Sequence, residues 1–189
     1  MSKDATATRL LLVQAARRRF AFDGYRATTV RDIAADAGVN VALINRYFVS
    51  KEGLFRACLD RAVRDLDPGE DATGHLDRAL RGLIGHVLRS PTDEDSMQLM
   101  LLLRSSGDEG VDTIRRETLH RYAERLAQSV GDQVTEDLLI RAEIALSVVL
   151  GMTMLRTATR VEPLASASED AVAGPLDDAL RALLTGPTA

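Results

Sequence analysis

Residues Thr28 to Phe55, TTVRDIAADAGVNVALINRYFVSKEGLF, carry two short apolar runs at helical spacing, a glycine between them and a third helical run directly after. In the first run Val30, Ile33, Ala34 and Ala37 fall at i, i+3, i+4 and i+7, one stripe of a helix. That stripe can face Leu43, Ile44 and Phe48 of the second run. Thr29 followed by Asp32 follows the capping-box pattern, with an acid shorter than the usual Glu or Gln. Gly38 can take positive φ and so end one helix with a sharp turn. Asn40 is suited to cap the next helix and Ser50 the one after it. These signals predict helices over about 29–37 and 41–48, with the turn at Gly38-Val39.

The rest of the chain repeats the helical period without strand alternation, so the expected fold class is all-α. A first helix over about 8–22 has Leu12, Ala16 and Phe20 on one stripe and stops at Asp23-Gly24. Arg17, Arg18 and Arg19 lie around that stripe and read as a solvated face. A helix over about 51–66 carries Leu54, Cys58, Leu59, Ala62, Val63 and Leu66, which makes Cys58 a small core residue rather than a nucleophile. Asp67-Pro68-Gly69-Glu70-Asp71 is the clearest punctuation in the chain. It divides the sequence into residues 1–50, a connecting helix over 51–66, and a body over 67–189. The body has apolar-periodic segments near 75–89, 94–105, 111–130, 134–160 and 176–184. Breaks fall at Ser90-Pro91, at 107–110, at Gly131-Asp132 and over a looser stretch from Pro163 to Pro175. Thr135, with Glu136 and Asp137 after it, predicts an N-cap. Five helices with mostly short links make a bundle.

Composition bounds the class. With 46% hydrophobic and 28% charged residues the 189-residue chain can bury a substantial core. Its one cysteine, Cys58, rules out an intramolecular disulfide and fits a reducing, cytoplasmic setting. The N-terminus shows no secretory pattern. The apolar run Ile144 to Leu155 is shorter than the roughly 20 residues a membrane span needs, so a buried helix and no membrane partner are expected. The net charge of −4 conceals a division. Residues 1–66 hold 12 Lys and Arg against 7 Asp and Glu, and residues 67–189 hold 12 against 21. A basic module on an acidic body fits a nucleic-acid partner.

A helix-turn-helix braces one helix across the DNA backbone and offers the entrance of the next to base edges. The elements above supply its packed interface, its tight turn and its polar caps. The sequence also resembles the TetR family of transcriptional regulators through Ala15-Ala16, Phe20, Gly24-Tyr25, Ala27-Thr28-Thr29-Val30, Asp32-Ile33-Ala34, Ala37-Gly38-Val39-Asn40, Arg46-Tyr47-Phe48 and Ser50-Lys51-Glu52-Gly53-Leu54. The resemblance implies an N-terminal three-helix DNA-binding domain, a fourth helix leading to a ligand-binding and dimerising helical body, and repression relieved by a small molecule. The DNA-contacting residues expected are Thr29, Asn40, Val41, Ala42, Asn45, Arg46, Tyr47 and Lys51. By the resemblance, Tyr47 and Lys51 contact the DNA backbone. Leu43 and Asn45 depart from the family pattern, where a small residue and an aromatic are common. Asn45 could hold an adenine edge or only a phosphate. Arg46 could reach a phosphate or be structural, and Arg19, where the family often has an apolar residue, has no functional reading.

The expected partners are a double-stranded DNA operator, a second copy of the chain, and a small-molecule effector of unknown identity. The homodimer is expected through the 144–155 segment and the last helix. Met97, Met100, Leu101 and Met152 could line an apolar effector pocket, or could simply be core. No cofactor and no metal are expected: His75 and His86 are about 16 Å apart along one helix, too far to share an ion, and His120 stands alone. Ser105-Ser106-Gly107 lacks a nucleophile elbow, and no phosphate-cradling glycine loop occurs, so no enzyme is expected. The alternatives are an activator, an effector-independent regulator, or a helical small-molecule-binding protein that never meets DNA.

Overall fold

A computed structural model describes residues 3–66, 76–89, 93–104 and 106–186, and every regular element among them is helical. In chain order these are α1 (Lys3–Phe22), α2 (Val30–Asp36), α3 (Ala42–Phe48), α4 (Lys51–Leu66), α5 (Leu76–Leu88), α6 (Asp93–Leu103), α7 (Glu109–Gln128), α8 (Glu136–Thr153) and α9 (Glu169–Thr185). A π-helical turn over Met154–Ala158 continues α8. The fold is all-α, as the periodicity predicts. Packing divides the chain into two compact units: residues 1–62 with 97–118, and residues 63–96 with 119–189. The punctuation at Asp67–Asp71 lies outside the described residues.

In the first unit the stripe Leu12, Ala16 and Phe20 of α1 is buried, as are Ile33 and Ala34 of α2, Ile44 and Phe48 of α3, and Leu54, Phe55, Cys58 and Leu59 of α4. Phe20, Tyr25 and Phe55 form a mutual aromatic cluster with ring centroids 5.3–5.4 Å apart. Cys58 Sγ lies 3.7 Å from the Val13 carbonyl, and complete burial pushes its thiol well above the ordinary range. It is a packed core residue, as its stripe position predicts. Polar side chains of α6 and of the residue just after it close the unit. Gln98 Nε2 donates to the Ala62 carbonyl at 2.6 Å, and Arg104 donates to the carbonyls of Ala21 and Phe22 at 3.0 and 3.2 Å. The last turn of a helix leaves its carbonyls without intrahelical partners, and Arg104 satisfies two of those of α1. Of the three consecutive arginines, Arg18 is exposed but Arg17 is only 4% exposed, so the solvated face expected there does not include Arg17.

In the second unit α8 packs against α5 and α9, and α5 against α9. The buried residues are Leu80, Leu83 and Val87 on α5, Ala142, Ala145, Leu146 and Val149 on α8, and Val172, Leu176, Leu180 and Leu184 on α9. Thr135 caps α8 by accepting from Leu138 N at 3.2 Å. Arg181 bridges helices, with Asp77 of α5 at 2.7 Å and Asp177 of its own helix at 2.6 Å. The stretch Glu136–Ala158 is long and apolar enough to cross a membrane by length and composition, a weak sign that a core helix of a soluble protein also gives. Its inner face packs on α5 and α9. Its outer face carries exposed Ile140, Ile144 and Leu155, with half-buried Val148 and Gly151 on the same stripe.

The last helix begins earlier than the sequence suggests. Residues 163–175 read as a loose stretch because Pro175 lacks an N–H and clashes with the preceding turn. In the structure Pro175 lies inside α9 on its exposed side. Ser168 caps the helix by accepting from Ala171 N at 3.3 Å, and Glu169 and Asp170 occupy the first turn, where they favour the helix dipole. Cap, dipole and the buried Val172–Leu184 stripe outweigh one missing hydrogen bond.

Candidate nucleic-acid interface

The capping box predicted at Thr29 is complete. Asp32 N donates to Thr29 Oγ1 at 3.2 Å, and Thr29 N and Oγ1 donate to Asp32 Oδ2 at 3.1 and 2.6 Å. These bonds hold the Asp32 carboxyl below the usual carboxylate range. At its other end α2 closes in a Schellman arrangement: Gly38 N donates to the Ala35 carbonyl and Val39 N to the Ala34 carbonyl, both at 3.0 Å. Gly38 sits at φ 65°, the left-handed region where a side chain is disfavoured. Asn40 Oδ1 then accepts from Ala42 N at 2.8 Å and starts α3.

Two inward anchors set the rotation of α3, because Ile44 and Phe48 are buried. Val41, Ala42, Asn45 and Arg46 therefore face outward and are exposed, while Leu43 and Tyr47 are half-buried. The Arg46 guanidinium lies 5.9 Å from the Tyr47 ring centroid, and Tyr47 meets Phe48 edge-on. Arg9 of α1 covers the Phe48 ring at 5.2 Å.

The joint between α3 and α4 is tight. Val49 has φ 68° and ψ −43°, and Ser50 N donates across it to the Phe48 carbonyl at 2.8 Å, a γ-turn of the strained, positive-φ kind. Val49 is also 84% exposed. Ser50 Oγ accepts from Gly53 N at 3.1 Å and so caps α4. A Cβ on Gly53 would lie 2.0 Å from the Phe48 carbonyl oxygen, so no side chain fits there. Lys51 is folded inward: Nζ donates to the Tyr25 carbonyl at 2.6 Å and lies 4.1 Å from the Tyr25 ring centroid. Partial burial lowers its pKa.

Arg19, which has no functional reading in the sequence, ties α1 to α2. Its Nε donates to Asp36 Oδ2 at 2.6 Å and its second nitrogen to Asp36 Oδ1 at 2.9 Å, with Asp23 at 3.2 Å. The guanidinium holds the Asp36 carboxyl below its ordinary range. A pairing between residues this far apart in sequence leaves no local signal. Gly53, by contrast, carries a local signal, a glycine in the first turn of the helix that Ser50 caps.

Two family models match the chain in order. "Bacterial regulatory proteins, tetR family" covers residues 12–58, and "Tetracyclin repressor-like, C-terminal domain" covers residues 77–184, more than half of the sequence. The chain belongs to the TetR family. A TetR-family regulator from Streptomyces coelicolor A3 has a solved structure that is 29% identical, with a TM-score of 0.59 over 95% of this chain and 96% of that one. A putative TetR-family transcriptional regulator from Rhodococcus sp. shares the fold at a TM-score of 0.69 and 19% identity, over 95% and 99% of the two chains. The HTH-type transcriptional dual regulator CecR of Shigella flexneri is 53% identical over 70 residues, which are 37% of this chain and 30% of that protein. This chain thus matches under a third of that relative's length. Membership places it among DNA-binding transcriptional regulators rather than enzymes.

In this TetR-family chain, of the residues expected to touch DNA, Thr29 is exposed at the start of α2, Asn40, Val41, Ala42, Asn45 and Arg46 are exposed at or on α3, Tyr47 is half-buried, and Lys51 is stowed on Tyr25. Of the four residues expected to line an effector pocket, Met100 and Leu101 border one described cavity. This space of about 180 Å³ is lined also by Phe20, Tyr25, Phe55 and Arg115, whereas Met97 and Met152 are not in that lining. His86 is buried beside Arg89, and His120 lies 3.2 Å from Glu143 and 3.7 Å from Glu124. Among the described residues no group of three or more His, Cys, Asp or Glu could hold a metal ion. His75 and Ser105 lie outside the described residues.

Proposed function

We propose that this chain is a homodimeric repressor that binds a partly palindromic operator and is released by a small-molecule effector. Residues 1–50 bind DNA, 51–66 connect, and 67–189 form the regulatory and dimerising part, all in the cytoplasm. The observation that carries the reading is the outward face of α3, where Val41, Ala42, Asn45 and Arg46 stand exposed on a helix whose rotation Ile44 and Phe48 fix from inside. Thr29 and Asn40 sit at the helix entrances, and Tyr47 flanks the same surface. The excess of basic residues over 1–66 supplies the sequence-independent attraction to phosphate. Lys51 joins the contact by leaving the Tyr25 carbonyl for a phosphate.

A second copy is supported by the uncovered stripe of α8, where Ile140 is 50% and Ile144 45% exposed. Beside it α9 turns the small residues Ala171, Pro175, Ala179 and Ala182 outward. A two-fold axis through such a face would set two recognition helices at half-sites about 34–36 Å apart. The likeness to a relative named a dual regulator favours a second reading, in which the same contact activates at some sites and represses at others.

The test is fluorescence anisotropy with labelled duplexes from the DNA flanking the coding region, over 50–200 mM salt. The expected result is binding that weakens about 10³-fold or more across that range, as for six or more phosphate contacts. Binding that is absent, or indifferent to salt, removes the DNA reading.

A further inference from the structure

We infer that the outward face of α3 reads thymine. The exposed hydrocarbons of Val41 and Ala42 select the C5-methyl group of a thymine in each half-site, and Asn45 holds an adenine within one or two base pairs of it. The inference rests on the DNA-binding reading above and names the bases that the reading leaves open.

Major-groove edges differ in their donors, in their acceptors and in one apolar group, the thymine methyl. A side chain without a donor or acceptor can distinguish base pairs only through that group. Val41 and Ala42 are such side chains, and both are exposed at the entrance of α3. Their exposure is not an error of packing, because Ile44 and Phe48 fill the inward positions and fix the rotation of the helix.

Asn45 follows Ala42 by three residues and Val41 by four, which places all three on one face. Its amide makes no hydrogen bond to another described residue, so both its donor and its acceptor are available to the bidentate pattern of adenine. Asn40 differs, since its Oδ1 is already engaged by Ala42 N. Four residues of helix advance about 6 Å, and stacked bases are about 3.4 Å apart. The methyl-reading and amide-reading positions therefore fall on neighbouring pairs. Arg46 lies over the Tyr47 ring toward the far end of the helix, away from this pair of hydrocarbons.

The experiment uses the full-length chain and duplexes it selects from a random library. Each thymine of the selected half-site is replaced in turn by deoxyuridine, which lacks only the C5-methyl group. We expect a loss of about three- to fivefold per buried methyl at one or two positions. At those positions the loss should vanish in Val41→Ser or Ala42→Ser. Deoxyuridine leaves the protein untouched, so the first arm holds even if a variant folds poorly. Deoxyuridine tolerated at every position, or losses that persist unchanged in both variants, overturns the thymine reading while leaving DNA binding intact. A library that enriches no sequence, with no salt-dependent complex, overturns both.

Discussion

Helices α2 and α3 are held by individual residues, whereas α8 is held by area. Each of the former has seven residues, too few to persist alone in water, and each is fixed by a specific device: the Thr29–Asp32 box, the Gly38 turn, the Asn40 cap and the Gly53 contact. Helix α8 has eighteen residues and one polar cap, and its place follows from an apolar face pressed on α5 and α9. Short helices with many single-residue requirements leave a distinctive sequence, and long helices with a tolerant apolar face do not. That is why residues 28–55 show their family resemblance openly in the sequence and α8 does not.

The comparison can be attacked first where α8 is uncovered. In the proposed dimer, Ile144→Glu would place like charges face to face across the two-fold axis, a cost of several kcal/mol. The dimer dissociation constant should rise about a hundredfold or more in sedimentation or light scattering. Because Ile144 is exposed within its own chain, the melting of the monomer should change little. A variant that stays dimeric would show that α8 is not the contact.

Next in size is a contrast of two glycines. Gly53→Ala forces a methyl against the Phe48 carbonyl and should cost about 1–3 kcal/mol by urea unfolding, since the obstacle is backbone. Gly85→Ala on the exposed side of α5 meets nothing within 4 Å and should stabilise by about 0.5–1 kcal/mol. Equal effects would mean that the α3–α4 joint is no tighter than an ordinary helix surface.

The smallest effect expected is on acid. Asp32 and Asp36 have folded pKa values below their ordinary ones, so their contribution is fully present above the unfolded carboxylate pKa of about 4. It is lost as pH falls through the lowered folded values. Protection factors of the α2 amides, with exchange rates corrected for the intrinsic pH dependence, should fall on acidification below about pH 4 before those of α8. The double variant Asp32→Asn with Asp36→Asn should flatten the difference. Exposed pairs contribute modestly, so the shift should be small.

Legibility in the sequence followed the same division. The all-α class, the caps at Thr29, Asn40, Ser50 and Thr135, the Gly38 turn and the buried centres of the stripes on α1 to α4 are readable, because each rests on spacing within one or two helical turns, while Val30, Ala37 and Leu43 of those stripes are only half-buried. The Arg19–Asp36 tie, the burial of Arg17 and the grip of Arg104 on α1 are not readable, because they depend on residues brought together only by folding. Pro175 misled for the opposite reason. A strong local rule against proline met a cap, a dipole and a buried stripe acting together. Whether Met97, Met100, Leu101 and Met152 line a pocket is not readable, because methionine and leucine at helical spacing serve a core as well as a pocket.

Arg104 and Gln98 bear on whether the DNA-reading part could be transplanted. A fragment ending at residue 66 would keep α1 to α4 but would bare the carbonyls of Ala21, Phe22 and Ala62, which those two side chains now occupy. An engineer moving this specificity onto another protein should carry residues 97–118 along with the first 62. What looks in the sequence like a detachable head is, as a unit of exchange, a head with part of its neck.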